Sequence, residues 1–302
     1  MDTSVYCAEQ SRQVAEPMLG SVGIRRTWIL VQDHGTWAAK AFAGSPLPDD
    51  VKQHLWDLAA EAAEPDEKPQ NAVLLIRDSN ARTLTEKRLF LVRSGGERPF
   101  VRGFTWQEPE DIKRLPLRRV LAGEADGEAI DDLLLVCTNG SRDRCCAKYG
   151  LPLFRKLKEL RPEGVWRCSH LGGHRFAATM VWLPHGVYYG RVPPTAAAGL
   201  VEDVETGRIT LPYLRGRSTL PRPAQVAEGL WRQAHDVTEV DALEFLEIAA
   251  ETEEEVAVSF RERASGAVLD VRYRTEPAEA HAMPSCGEEA DEGFREFRLL
   301  TA

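Results

Sequence analysis

Long apolar runs are absent from this chain of 302 residues. No stretch approaches the roughly 18 consecutive apolar residues that a membrane-spanning helix needs, so no membrane insertion is expected. Positive charge is also short. Lys and Arg number 38 against 47 Asp and Glu, a formal net charge of -9. A general nucleic-acid binder needs the opposite balance, so nucleic acid is not an expected partner. The opening, MDTSVYCAEQSRQVAEP, has neither a basic n-region nor an apolar h-region. No signal peptide is expected from it, and the cytoplasm is the expected compartment. Several catalytic signatures are missing. The chain has no C-x-x-C pair and no GxGxxG turn after a strand, which removes the usual dithiol and dinucleotide motifs. A C-x5-R phosphatase loop fails at Asp143, with Arg142 and Arg144 one position off on either side. No pair of carboxylates stands out as the two that a glycosidase places across a sugar.

What is present fits a folded α/β protein. Apolar residues make up 43% and charged residues 28%, and the length allows two compact units with a small third. RRTWILVQD reads as a buried strand. SPLPDDVKQHLWDLAAEAA reads as a helix with acidic residues at its start, and NAVLLIRD, KRLFLVRSG and RPFVRGFTW as three strands. EDIKRLPLRRVLAGEA reads as one helix that Pro116 interrupts. The order then repeats. DDLLLVCTNG is a strand ending at Cys137, KYGLPLFRKLKELR a helix, and GVWRCSH a strand. FAATMVWLPHGVYYGRV is a hairpin turning at Pro184, His185 and Gly186, and PPTAAAGLVEDVETGRI begins a helix.

Strand, helix, strand, hairpin and helix, twice over, predicts an internal duplication: α/β, with two thioredoxin-like units in tandem. The expected boundaries are 1–126 for a first, degenerate unit, 127–212 for the second, and 213–302 for a small α+β accessory module. That module takes a helix from RSTLPRPAQVAEGLWRQ and three alternating strands, EEEVAVSFRER, AVLDVRYRT and GFREFRLLT. The acidic EPAEAHAMPSCGEEADEG between the last two strands reads as a loop. In the first unit Asp33, His34 and Gly35 occupy the place of the Cys137 loop, so metal chemistry is expected only in the second.

Six cysteines in a reducing compartment are free, catalytic or metal-bound rather than paired. Cys137, Cys145 and Cys146 fall within ten residues, while Cys7 and Cys286 lie near the ends. Cys137 and Cys146 are spaced C-x8-C, and His170 and His174 are spaced H-x3-H around a Gly pair. Thiolate with imidazole suits zinc, iron and iron–sulfur centres. Cys137 and His170 are expected at the C-terminal ends of strands, where sites assemble in α/β folds. Cys146 falls at the start of a helix, whose dipole favours thiolate. By chemistry alone Cys145 can stand in for Cys146, and Cys168 reads as a buried strand residue on the His170 face. Gly172 and Gly173 permit a tight turn close to a bound centre.

The C-x8-C pair, the following H-x-G-G-H, the hairpin after it, the CAEQSR start and the LRGRSTLP stretch together resemble the sucrase/ferredoxin-like family, whose members look like thioredoxin-fold ferredoxins. The resemblance implies a [2Fe–2S] cluster held by Cys137, Cys146, His170 and His174, and it selects Cys146 over Cys145. It implies a one-electron carrier rather than an enzyme with its own substrate, supplied by a separate reductase and passing electrons to an unidentified acceptor. Two neutral imidazoles in place of two thiolates raise the potential, as in Rieske centres at about -150 to +300 mV against about -400 mV for plant-type clusters. Both histidines are expected on one iron. Their remaining N–H groups couple electron to proton transfer, which predicts a potential that falls as pH rises. Arg142, Arg144, Lys148 and Arg175 form a local basic group suited to an acidic donor. Thr138, Asn139 and Ser141 are placed either to reach cluster sulfurs or simply to form the turn. The competing expectations are a Cys2His2 structural zinc site of the same fold and a thiol-dependent redox enzyme.

Overall fold

The computed structural model describes residues 6–78, 85–96, 98–288 and 292–301. A short helix, α1 (Cys7–Gln13), leads into the first unit: β1 (Thr27–Gln32), α2 (Asp49–Glu61), β2 (Val73–Arg77), β3 (Lys87–Arg93), β4 (Phe100–Trp106) and α3 (Leu117–Leu121). A three-residue strand, β5 (Glu128–Ile130), follows. The second unit is β6 (Leu133–Cys137), α4 (Arg144–Leu160), β7 (Val165–Cys168), β8 (Met180–Leu183), β9 (Val187–Tyr189) and α5 (Ala197–Glu205).

The two units have the same connectivity. β1 pairs parallel with β2 across the α2 crossover and antiparallel with β3, which pairs with β4. Likewise β6 pairs parallel with β7 across α4 and antiparallel with β8, which pairs with β9. The α/β fold of two thioredoxin-like units is thus realised, with one addition. β2 and β7 pair antiparallel, Ile76 with Cys168 and Arg77 with Arg167, and fuse both units into one ten-stranded sheet. Ser169 extends this seam through hydrogen bonds to and from the Leu75 backbone. The sheet gains β10 (Leu214–Arg217) beside β9 and β5 beside β4.

Burial on both faces explains why β1 and β6 read as unbroken apolar runs. Ile29 and Val31 face α2, and Leu134 and Val136 face α4 and α5. Trp28, Leu30, Leu133, Leu135 and Cys137 line the opposite face. That face curls in on itself. β1 and β9 are five places apart, about 24 Å in a flat sheet, yet the rings of Trp28 and Tyr188 lie 6.1 Å apart. The inner face needs no helical cover because it covers itself.

The C-terminal part carries α6 (Arg222–His235) and a second sheet, β11 (Leu243–Glu251), β12 (Glu255–Glu262), β13 (Val268–Ala282) and β14 (Glu292–Thr301), in chain order and antiparallel. α6 packs Val226, Ala227 and Trp231 onto it. Three readings change here. β11 is an unforeseen fourth strand, buried only at Leu243 and half-buried to exposed elsewhere, and so without a clear alternation. The first part of EPAEAHAMPSCGEEADEG is strand rather than loop, because β13 runs on to Ala282 with a register shift after Pro277. Residues 289–291 of that insert lie outside the described residues. EDIKRLPLRRVLAGEA is not one helix either. It forms a 3-10 turn, Pro109–Arg114, then α3, because the residue before Pro116 is held extended (Leu115, φ -63, ψ 140). Among the described residues no helix is long and apolar enough to cross a membrane.

Candidate metal centre

Parallel pairing of β6 and β7 sets Cys137 beside Cys168, each the last residue of its strand. Beyond β6 the chain turns through Asn139, which accepts from the Ser141 N–H and donates to the Ala38 carbonyl. Asp143 then caps α4 by accepting from the Cys145 N–H at 2.8 Å. Cys146 is the third residue of α4 and returns over the end of β6. The return is close because α4 carries glycine where it crosses the strand. A Cβ on Gly150 would sit 2.1 Å from the Cys137 carbonyl oxygen.

The sulfurs of Cys137 and Cys146 and a ring nitrogen of His170 lie within 4.8 Å of one another. Cys137 Sγ is 3.8 Å from His170 Nδ1. The Cys146 thiol donates to Cys137, which draws Cys137 well below the ordinary thiol range against the opposing effect of burial; His170 pulls the same way. The same bond pushes Cys146 up. The pair therefore shares a proton that a cation can displace.

His174 stands next to this group rather than inside it. Its ring centroid is 5.6 Å from that of His170, tilted by 31°. His174 Nε2 donates to the Pro284 carbonyl at 2.7 Å and lies 3.7 Å from Asp143 Oδ2. That fixes the proton on Nε2 and leaves the lone pair on Nδ1. Nδ1 is buried and has no hydrogen-bond partner among the described residues. Burial lowers the His174 pKa, with Asp143 opposing, so the neutral, ligating form is favoured. A buried imidazole nitrogen with a free lone pair beside two coupled thiols is a donor set that fits a thiophilic iron or zinc centre.

The Gly pair between the histidines is left-handed at both positions, Gly172 at φ +86 and Gly173 at φ +68. Gly173 makes the expected close approach, but to an arginine. Its Cβ would fall 2.2 Å from Arg215 Nη2. Arg215 is buried and donates to the Gly172 and Ser21 carbonyls. Burial lowers its pKa to about 10.

Several neighbours have other occupations. Thr138 accepts from Arg167 of β7, and Asn139 holds the turn by accepting from the Ser141 N–H. Of the basic group, Lys148 pairs with Glu9 at 2.7 Å and Arg175 with Glu16 at 2.7 Å, while Arg144 lies over the Tyr6 ring. Cys168 is fully buried in the inner apolar face, where burial raises its pKa. In the first unit Gln32 holds the place of Cys137. Its side-chain oxygen accepts from the Arg88 N–H and its amide nitrogen contacts His34.

Sequence reasoning missed a second group. Cys7, Cys145, Cys286 and Asp143 also bring one ligand-type atom each within 4.8 Å of the others. A hydrogen bond from Cys7 lowers the Cys145 thiol to about 7 and raises that of Cys7. No spacing rule joins residues 7, 145 and 286, because the fold alone brings both ends of the chain to α4. The only signal was that Cys145 stood beside Cys146 without an assigned task.

Comparison with known proteins places these features in a family. A family model described as Sucrase/ferredoxin-like matches residues 18–216, about two thirds of the chain. Altered inheritance of mitochondria protein 32 of Meyerozyma guilliermondii is 30% identical over 131 residues, 40% of this chain and 46% of that protein. Its namesake in Debaryomyces hansenii is 35% identical over 86 residues, 25% of this chain and 32% of that protein. The chain thus spans less than half the length of these curated relatives. Among solved structures, a thioredoxin-like [2Fe–2S] ferredoxin from Aquifex aeolicus matches at a TM-score of 0.27 and 18% identity, covering 30% of this chain and 94% of that one. With the family model matched across both units and the site, the chain belongs to the sucrase/ferredoxin-like family.

Proposed function

We propose that this chain is a one-electron carrier that holds a [2Fe–2S] cluster on Cys137, Cys146, His170 and His174. The observation that carries the reading is the buried, unpartnered Nδ1 of His174 beside His170 and the two coupled thiols. Burying a polar nitrogen without a partner costs about 1–3 kcal/mol, and a metal ligand role removes that cost.

When bound, such a cluster takes up and releases one electron at a time. The chain's own residues do the rest. Cys137 and Cys146 supply thiolate from two elements whose separation Gly150 fixes. The two histidines replace two negative ligands by neutral ones, which favours reduction. His174 keeps its Nε2 proton on the Pro284 carbonyl, so its ring cannot rotate away. The apolar inner face, with Cys168, Leu171 and Tyr188, screens the site from water on the sheet side. The donor is a separate reductase, since the chain carries no dinucleotide turn.

Protein purified anaerobically is expected to be red-brown with about two irons and two acid-labile sulfides per chain. Cys146→Ser and His174→Ala are expected to lose iron or change the visible spectrum. A colourless protein with zinc at these four residues contradicts the proposal.

A further inference from the structure

Cys7, Cys145 and Cys286 come from α1, the first turn of α4 and the connection between β13 and β14, yet their sulfurs form a near-regular triangle. The edges are 3.5 Å (Cys7–Cys145), 3.4 Å (Cys145–Cys286) and 3.6 Å (Cys7–Cys286). A tetrahedral ion with bonds of about 2.3 Å to sulfur needs edges of about 3.8 Å. A disulfide would join two of the sulfurs and leave the third apart; here all three are equivalent. Asp143 stands over the triangle, both carboxylate oxygens 3.8 Å from Cys7 Sγ. It accepts from the N–H of Cys145 at 2.8 Å, the N–H of Cys286 at 2.9 Å and the Ser285 hydroxyl at 3.2 Å. A carboxylate has about four acceptor positions; the Cys7 thiol takes the fourth, and that position comes free once Cys7 is a thiolate on an ion. Asp143 is buried, and these donors hold its carboxylate beside the three sulfurs, where an anionic oxygen can complete the shell of a cation.

We propose that Cys7, Cys145 and Cys286, with Asp143 as fourth ligand, form a second metal site, a structural tetrahedral site for zinc, separate from the Cys137–Cys146–His170–His174 centre. Three thiolates select a thiophilic ion over the hard cations. All four positions are filled by protein, which is the closed coordination of a structural site rather than the open one of a catalytic site. The ion pins the segment after β13 against α4. That segment carries Pro284, whose carbonyl fixes His174. The zinc site therefore holds in place the wall that orients a ligand of the first centre. The chelate loops it closes, Cys7 to Cys145 and Cys145 to Cys286, each span nearly half the chain. Long closures of this kind restrict the unfolded chain most.

The test is metal analysis of the full chain, purified anaerobically without chelator, for iron, sulfide and zinc together. About one zinc per chain is expected in the wild type, with a zinc-edge absorption shell of three sulfurs at about 2.3 Å and one oxygen. Cys7→Ser/Cys286→Ser is expected to lose the zinc and keep its iron and sulfide, with a shifted visible spectrum as the Pro284 wall loosens around His174. Should that variant not fold, the wild-type zinc edge and native alkylation decide. Cys7 and Cys286 are expected to resist iodoacetamide until a zinc chelator is added. The proposal is overturned by a wild type whose trio alkylates fully without chelator. A disulfide among these cysteines overturns it too, as does a zinc shell of two sulfurs and two nitrogens. Iron loss with retained zinc in the double variant does the same, since it would put the iron on this trio. Failure of the cluster reading is seen separately, in the iron and sulfide of the wild type.

Discussion

Single atoms decide most of the chemistry at the residue scale. The two nitrogens of His174 have different tasks because Pro284 takes the proton of one. Cys145 and Cys146 are neighbours in sequence but point to different groups, one to Cys7 and Cys286, the other to Cys137 and His170. Successive residues on a helix face about 100° apart, so a Cys pair at a helix start serves two sites naturally. Cys168 belongs to the apolar face instead. Cys168→Ser is expected to cost about 1–3 kcal/mol by burying a hydroxyl while leaving iron content unchanged. Denaturant titration and iron analysis on one preparation check both halves of that statement, and iron loss without loss of stability would make Cys168 a ligand. Cys137 and Cys146 were legible because one ends β6 and the other starts α4; His170, expected at the end of β7, lies two residues past it in the connection to the 3-10 turn that His174 opens. The trio was not legible, because its members are adjacent only after both chain ends have folded onto α4.

Elements set the distances between those residues. α4 lies against β6 only because Gly150 has no side chain there. Gly150→Ala is expected to push the helix outward, cost about 1–3 kcal/mol by overpacking, and lower iron content along with the melting temperature. An alanine variant with unchanged melting temperature and iron would remove Gly150 from the account. α6 has a comparable position between the two sheets. Its Glu228 accepts from Arg217 of β10 at 2.6 Å and from Arg232 at 3.0 Å, with Glu228 and Arg232 fully buried and Arg217 at the edge of the interior. Burial raises the Glu228 pKa, but the two arginines outweigh it and hold it below the usual carboxylate value. The stability Glu228 contributes is therefore complete above the unfolded carboxyl value of about 4.3 and is lost as pH falls through the lower folded value. Glu228→Gln is expected to cost about 3–5 kcal/mol near neutral pH, since it leaves two buried guanidiniums short of an anion. The gap to wild type is expected to narrow in acid. Unfolding midpoints that stay parallel down to about pH 2 would show that the carboxylate is not the titrating group. Most strands and α2, α4 and α6 were readable from apolar runs and helical spacing, but the short β5 and β10 were not, and α4 starts at Arg144, four residues before the helix read from Lys148, because Asp143 caps it. β11 was not readable either, because it is half-buried along much of its length and its pairing shifts register twice, which leaves no alternation. The continuation of β13 past Pro277 was hidden because the ladder it gains from β14 overrides the local preference for a turn.

The whole molecule uses one architecture twice and one site once. The duplication was visible in the order of elements; the fusion of both units through β2 and β7 was not, since pairing between edge strands leaves no mark in either segment alone. Fusion has a consequence for the site. It curls the sheet so that Trp28 of the first unit packs on Tyr188 of the second, giving the centre an apolar floor that neither unit would form by itself. The first unit, with Gln32 in the cysteine's place, serves as scaffold. The central claim is that two histidines and two cysteines of the second unit hold a [2Fe–2S] cluster. Electron paramagnetic resonance of the dithionite-reduced protein, wild type beside His170→Cys, tests it most directly. A Rieske-like signal of low average g-value is expected in the wild type, and a shift toward the values of all-thiolate clusters in the variant, with a lower potential. A wild-type signal already of the all-thiolate kind, or one that His170→Cys leaves unchanged, would contradict it.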